Sequence, residues 1–246
     1  GYSWQIDLHP YETVHRRVAF LIKATSYYVN STSGNDSGQG TYEDPFATLQ
    51  HAVYKLAGKK GYIYIQNYNG APVTLSGSGS TDVVIATTDY EKNSTATPYT
   101  GPTVEVTSST PGTPLFTQTG TGKYTIEKLI LKGGTAERST SLISVTGGTL
   151  RLGDQASLQD SKIGIKTAGA AVDVKGGTLQ LEHGSSVSGN VSKTDGRGAI
   201  NFETGALKLA GSKPSGASVI NVTGNTDGEG KPSNIYIKGT NKLSVM

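Results

Sequence analysis

The chain has no cysteine, which removes disulfide staples, thiol chemistry and cysteine-ligated metal from consideration. It is also poor in the usual core fillers. There are one Met, one Trp and four Phe in 246 residues, and hydrophobic residues reach only 34%. That is thin for a compact globule of this length. Charge is sparse, at 17%, and nearly balanced, with 22 basic against 19 acidic residues. The basic residues are scattered, and only Arg16 with Arg17 and Lys59 with Lys60 are adjacent. The electrostatic footprint of a nucleic-acid binder is therefore missing. No apolar run approaches the roughly 20 residues of a membrane-spanning helix, the longest being 18–22. The histidines, at 9, 15, 51 and 183, are too dispersed to suggest a metal site.

What the chain has in quantity is glycine, at 33 residues, with abundant Ser and Thr, and 13 tyrosines. Solenoids tolerate such a composition, because each coil buries only a narrow strip and small residues serve the corners. A repeat bears this out. LISVTGGTLRL at 142–152 returns as AVDVKGGTLQL at 171–181 and as AINFETGALKL at 199–209, with starts 29 and 28 residues apart. Alternation on both sides of a glycine corner predicts four inward columns. They are Ile143, Val172, Ile200; Val145, Val174, Phe202; Leu150, Leu179, Leu207; and Leu152, Leu181, Leu209. The outward columns are Ser144, Asp173, Asn201; Thr146, Lys175, Glu203; and Arg151, Gln180, Lys208. The corner pair Gly147, Gly148 maps onto Gly176, Gly177 and then Thr204, Gly205. At about 25 residues per coil, some seven coils make a rod of about 34 Å.

Ahead of the repeat, the stretch 27–58 reads as a strand, a Gly/Ser/Asn loop and the one convincing helix. The predicted helix is 44–57, with Asp44 as N-cap, Pro45 at the first position and Gly58 just past the end. Phe46, Leu49, Val53 and Leu56 give it an apolar face, and it is placed to lid the first coil. Residues 1–26 differ in texture. Trp4, Ile6 and Leu8 alternate, as do Val18, Phe20 and Ile22, so two strands joined by a turn are expected, with a helix over 11–24 as the alternative. The segment reads as a β hairpin, either a cap or the tail of a preceding domain, and 27–246 as the solenoid. The start at Gly1, without a signal peptide, reads as an excised piece of a longer chain.

The 27–58 stretch resembles the opening of bacterial right-handed parallel β-helix proteins, a pectate-lyase-like group that includes repeat surface proteins. The matching positions are Ser33, Gly34, Asn35, Asp36, Gly40, Thr41, Pro45, Phe46, Thr48, Leu49 and Ala52. The resemblance implies an all-β right-handed parallel β-helix with one capping helix. It also implies a secreted or cell-surface location, outer membrane associated, and a glycan, a host or cell-surface protein, or flanking domains of the same chain as partners. Enzymes of this fold place calcium ligands or paired carboxylates on one outer face.

Chemistry is hard to place. No predicted outward column holds two carboxylates, and Lys175 beside Glu203 reads as a cross-coil ion pair. No catalytic or metal residue is assigned, and no cofactor, with calcium kept only as a possibility at Asp227 and Glu229 or at Asn35 and Asp36. The latter two more simply make Asx-type turns. Asp89, Glu91 and Lys92 lie in an insertion, 89–103. Tyr62, Tyr64, Tyr68, Tyr90 and Tyr99 are the candidate binding residues, as aromatic contacts for a sugar or a protein partner, with packing under the lid as the other reading. A non-catalytic surface module, adhesin-like or structural, is the expected function. A polysaccharide lyase, a glycosidase or a carbohydrate-binding module is the alternative.

Overall fold

A computed structural model describes residues 2–6, 19–23, 25–87, 104–193, 197–212 and 215–246, the first two segments as backbone only. The predicted insertion 89–103 and His9 and His15 lie outside the described residues. Tyr2–Ile6 pairs antiparallel with Ala19–Lys23. Among the described residues the other strand ladders are parallel, in curled sheets, an arrangement consistent with a solenoid.

The chain returns to the same walls on successive passes. The first wall stacks Thr25–Asn30, Lys60–Asn67, Asp82–Thr87, Lys123–Ile126 and Thr149–Leu152. It continues into the second halves of Val172–Leu181 and Ile200–Leu209, then Leu243–Val245. The second wall stacks Val73–Leu75, Phe116–Gln118 and Ile143–Val145, the first halves of the same two long strands, and Ile235–Ile237. A third wall runs from Val104–Thr107 through Leu129–Lys132, Ser157–Gln159 and Ser186–Ser188 to Asn221–Thr223. A short fourth wall holds Lys162–Ile163, Val191–Ser192 and Thr226–Asp227.

The four predicted inward columns pair in the expected register. All but Leu209 are buried, and one apolar cluster runs through them from Val29 to Leu207. Burying each such side chain contributes about 1.5–3 kcal/mol. Gly177 shows why the corner is glycine. Its φ is 62°, and a Cβ there would sit 2.5 Å from the backbone of Gly147 on the preceding pass.

The register departs from expectation at one place. A bulge lies between Val174 and Thr178, so Lys175 pairs with Thr204 and not with Glu203. The ammonium of Lys175 instead meets Asp173 at 2.8 Å.

The helix is shorter than predicted, Leu49–Lys55, and Thr48 is its N-cap, with its hydroxyl accepting from His51 N at 3.2 Å. Asp44 does not cap it, because its carboxylate accepts from Gln39 N inside the loop. Asp36 reaches across the loop to accept from Thr48 N and Thr48 Oγ1, at 2.9 and 2.7 Å, and so fixes the cap. Asn35 makes the expected Asx turn, accepting from Ser37 N.

Loop and helix together close the first edge of the sheets. Phe46 donates to Tyr28 O and accepts from Asn30 N, which satisfies the free side of the first strand. The Gln50 amide does the same for the second wall, accepting from Thr74 N at 2.8 Å and donating to Thr74 O at 3.2 Å. A side-chain amide has the donor and acceptor pair of a peptide, so it stands in for a missing strand. Phe46, Leu49, Ala52, Val53 and Leu56 seal the end of the core beneath.

Two polar devices pin the corners. Asn190 and Asn225 stack in a ladder between the third and fourth walls: Asn190 Nδ2 donates to Asn225 Oδ1 at 2.9 Å, and Asn190 Oδ1 accepts from Ser161 N. Arg138 is 1% exposed, and its guanidinium donates to the carbonyls of Thr140, Gly133, Thr113 and Ser141 and to Ser108 Oγ. Burial lowers its pKa. Arg138→Lys should cost more than about 2 kcal/mol in chemical denaturation, because one ammonium cannot serve five acceptors. A cost under about 0.5 kcal/mol would contradict this role.

Candidate functional site

The outward face of the second wall carries a column whose register is Ser144, Asp173, Asn201, Tyr236. Parallel pairing sets these residues one pass apart, about 4.8 Å. Asn201 is fully buried and lies between two carboxylates. Its Nδ2 donates to Asp173 Oδ1 at 2.6 Å and to Glu203 Oε1 at 2.9 Å. The two acids are thus no further apart than these two bonds laid end to end, near the roughly 5–5.5 Å of retaining glycosidases.

Cations surround the pair. Lys175 Nζ lies 2.8 Å from Asp173, Arg197 Nη1 3.4 Å from Glu203, and Lys238 Nζ 3.8 Å from Glu203. Arg197 also sits 5.0 Å over the Tyr236 ring and donates through Nε to Lys166 O. Burial works to raise the pKa of Glu203. The Asn201 hydrogen bond and the charges of Lys175, Lys238 and Arg197 outweigh it and hold the carboxyl below its ordinary value. Among the described residues, Asn201 Oδ1 has no hydrogen-bond partner.

Column alignment missed this pair because Asp173 and Glu203 are diagonal neighbours. A search of i, j±2 positions across passes would have found it.

The candidate tyrosines fall in different places. Tyr62 and Tyr64 lie on the outward face of the first wall with rings parallel, 5.8 Å between centroids. Tyr64 is only 3% exposed and packs on Tyr28 at 5.2 Å, and Tyr28 in turn meets Tyr42 edge-on. Tyr68 is separate. It is buried in the main core, its hydroxyl donates to Ala71 O, and burial raises its pKa. Tyr90 and Tyr99, with Asp89, Glu91 and Lys92, lie outside the described residues.

Asp227 Oδ1 accepts from Glu229 N and Lys231 N, closing a turn, while Glu229 pairs with Lys231. Among the described residues, no three His, Asp or Glu side chains converge as a metal-binding set. Nor, among them, is any helix long and apolar enough to cross a membrane. No family model, curated protein or solved structure matches the chain.

The charge balance around Glu203 has a pH consequence. A carboxyl with a depressed folded pKa stabilises fully above its unfolded value, about 4.3, and loses that contribution as pH falls through the folded value. In Asn201→Ala the burial effect loses its main opponent. The Glu203 pKa should rise, and acid destabilisation should begin at higher pH. Carbon-13 titration of the carboxyl measures it, and an unchanged or lower pKa would show that Asn201 does not hold the charge.

Proposed function

We propose that the chain is a right-handed parallel β-helix serving as a non-catalytic module of a secreted or cell-surface protein, adhesin-like or structural. The observation that carries this reading is the closed state of the outward carboxylate pair. A glycosidase needs one protonated acid and a gap between its carboxylates for the glycosidic oxygen or a water. Here the Glu203 carboxyl is held below its ordinary pKa, which suits it poorly to the acid's role, and the Asn201 amide fills the gap. A lyase needs a basic side chain free to take a proton, whereas Lys175 is bound to Asp173 and Arg197 to Glu203. This arrangement favours a rigid wall over a reaction centre.

The architecture also suits display. Each pass buries its own apolar strip and leaves the outer positions free to vary without disturbing the core. Glycan and cell-surface proteins are the partner classes proposed for such a wall, with flanking domains of the same chain.

Two measurements test the reading. Purified chain incubated with uronate-containing polysaccharides should release no reducing ends and no unsaturated products, and Glu203→Gln should leave that result unchanged. In intact producing cells, an antibody added from outside should reach the chain. Depolymerisation lost in Glu203→Gln would move the assignment to the carbohydrate-active alternative. An epitope reached only after lysis would remove the surface assignment.

A further inference from the structure

Lys175, Asp173 and Asn201 set an amine, a carboxylate and an amide side by side on the outward face of the second wall, and Asp173 bridges the other two. Its Oδ2 lies 2.8 Å from Lys175 Nζ, and its Oδ1 accepts from Asn201 Nδ2 at 2.6 Å. Gly169 N donates to the same Oδ1 at 3.4 Å. Asp173 is 5% exposed and Asn201 fully buried, so the bridge is withdrawn from water. Lys175 is the member with freedom to move. Its side chain is 42% exposed, on a flexible four-carbon stem.

Asp173 pairs with Asn201 on the next pass, which makes Lys175 the diagonal neighbour of Asn201. Diagonal neighbours lie within reach of a long side chain. The bulge falls at this point, so the ladder between the two passes is irregular from Val174 to Thr178. The Asn201 amide is held firmly at its nitrogen, which donates to Asp173 and Glu203. Its Oδ1 is buried and meets neither solvent nor, among the described residues, a donor. The amide carbon is thereby shielded from water, which would otherwise compete as a nucleophile. Glu203 faces Arg197 and Lys238, whereas Asp173 touches both the amine and the amide.

We propose that Lys175 and Asn201 condense into an isopeptide bond that ties adjacent passes together, with Asp173 as the proton relay. The Lys175 ammonium gives a proton to Asp173, and the freed amine attacks Asn201 Cγ. Asp173 passes that proton to Nδ2. The Nζ–Cγ bond forms, the Cγ–Nδ2 bond breaks, and the departing ammonia takes the second amine proton and leaves as ammonium. Nothing is oxidised or reduced, and no co-reactant enters. An unactivated amide reacts slowly with a free amine. Holding amine, relay and amide in one site replaces activation by position and by acid–base assistance. The contacts described above are those of the chain before condensation. The inference goes beyond the module reading, which stands without the link, just as the link stands in any location of the chain.

Mass spectrometry of the purified full chain, fresh and after prolonged incubation at neutral pH, decides it. The intact mass should fall below the sequence mass by one ammonia. Trypsin does not cleave after an acylated lysine, so a digest should release 167–193 joined to 198–208 as one branched peptide. Asp173→Asn keeps the shape of the relay and removes its basicity, and it should leave the full mass and linear peptides. If Asp173→Asn fails to fold, Lys175→Arg still decides, because it keeps the charge at a partly exposed position and supplies no nucleophilic amine. It too should show the full mass. A parent chain of full sequence mass, an ammonia loss with the two peptides separate, an ammonia loss that persists in Lys175→Arg, or a parent-like yield of the link in Asp173→Asn would overturn the proposal.

Discussion

Parallel register is the constraint on which the other features of the structure depend. Each strand hands its N–H and C=O groups to the same wall one pass away, about 4.8 Å distant. Side chains therefore stack on their own equivalents. Inside, this favours apolar columns, because a polar member must find its own partners, as buried Gln118, in register with Leu75 and Val145, does by donating to Thr119 O and Gly122 O. Outside, it sets charge beside charge, and like charges in a column repel. Opposite pairs across passes avoid this, as with Asp82 and Lys123, Glu105 and Lys132, or Arg151 and Glu182. Exposed pairs contribute little stability each. Their use lies in keeping the stack free of repulsion.

The same register creates an edge problem, and the N-terminal loop answers it with unlike parts. Phe46 contributes backbone, Gln50 a side-chain amide and Leu49 to Leu56 an apolar seal. Gly34 shows how closely they fit, since a Cβ there would lie 2.3 Å from Phe46 O. A loop that reads as connection is thereby an end plate.

The inward columns were legible because each pass repeats the same alternation, and Leu150, Leu179 and Leu207 needed no knowledge of loops. The shift at Lys175 was not legible. Its cause is a bulge that places one extra residue between Phe202 and Thr204, and no pattern of hydrophobicity marks it. The Asp173, Asn201, Glu203 arrangement went with it, since it depends on that local geometry. The helix start was misread for a different reason. Asp44 and Thr48 are both good caps, and Asp36, twelve residues upstream of Thr48, decides between them. The Asn190 and Asn225 ladder joins residues 35 apart in loops of unequal length, where alignment has no fixed period.

Repeated passes carry a hazard of their own, which Arg138 removes. Similar passes can be threaded one repeat out of step and still match leucine to leucine. Such a slip loses little apolar contact, so hydrophobic packing alone does not discriminate against it. Arg138 is a single, non-repeated cation that finds its carbonyls and the Ser108 hydroxyl only when residues 108–113, 133 and 140–141 surround it. In a mis-threaded chain the guanidinium would be buried without those acceptors, at a cost of several kcal/mol. It acts as an index mark on an otherwise periodic scale.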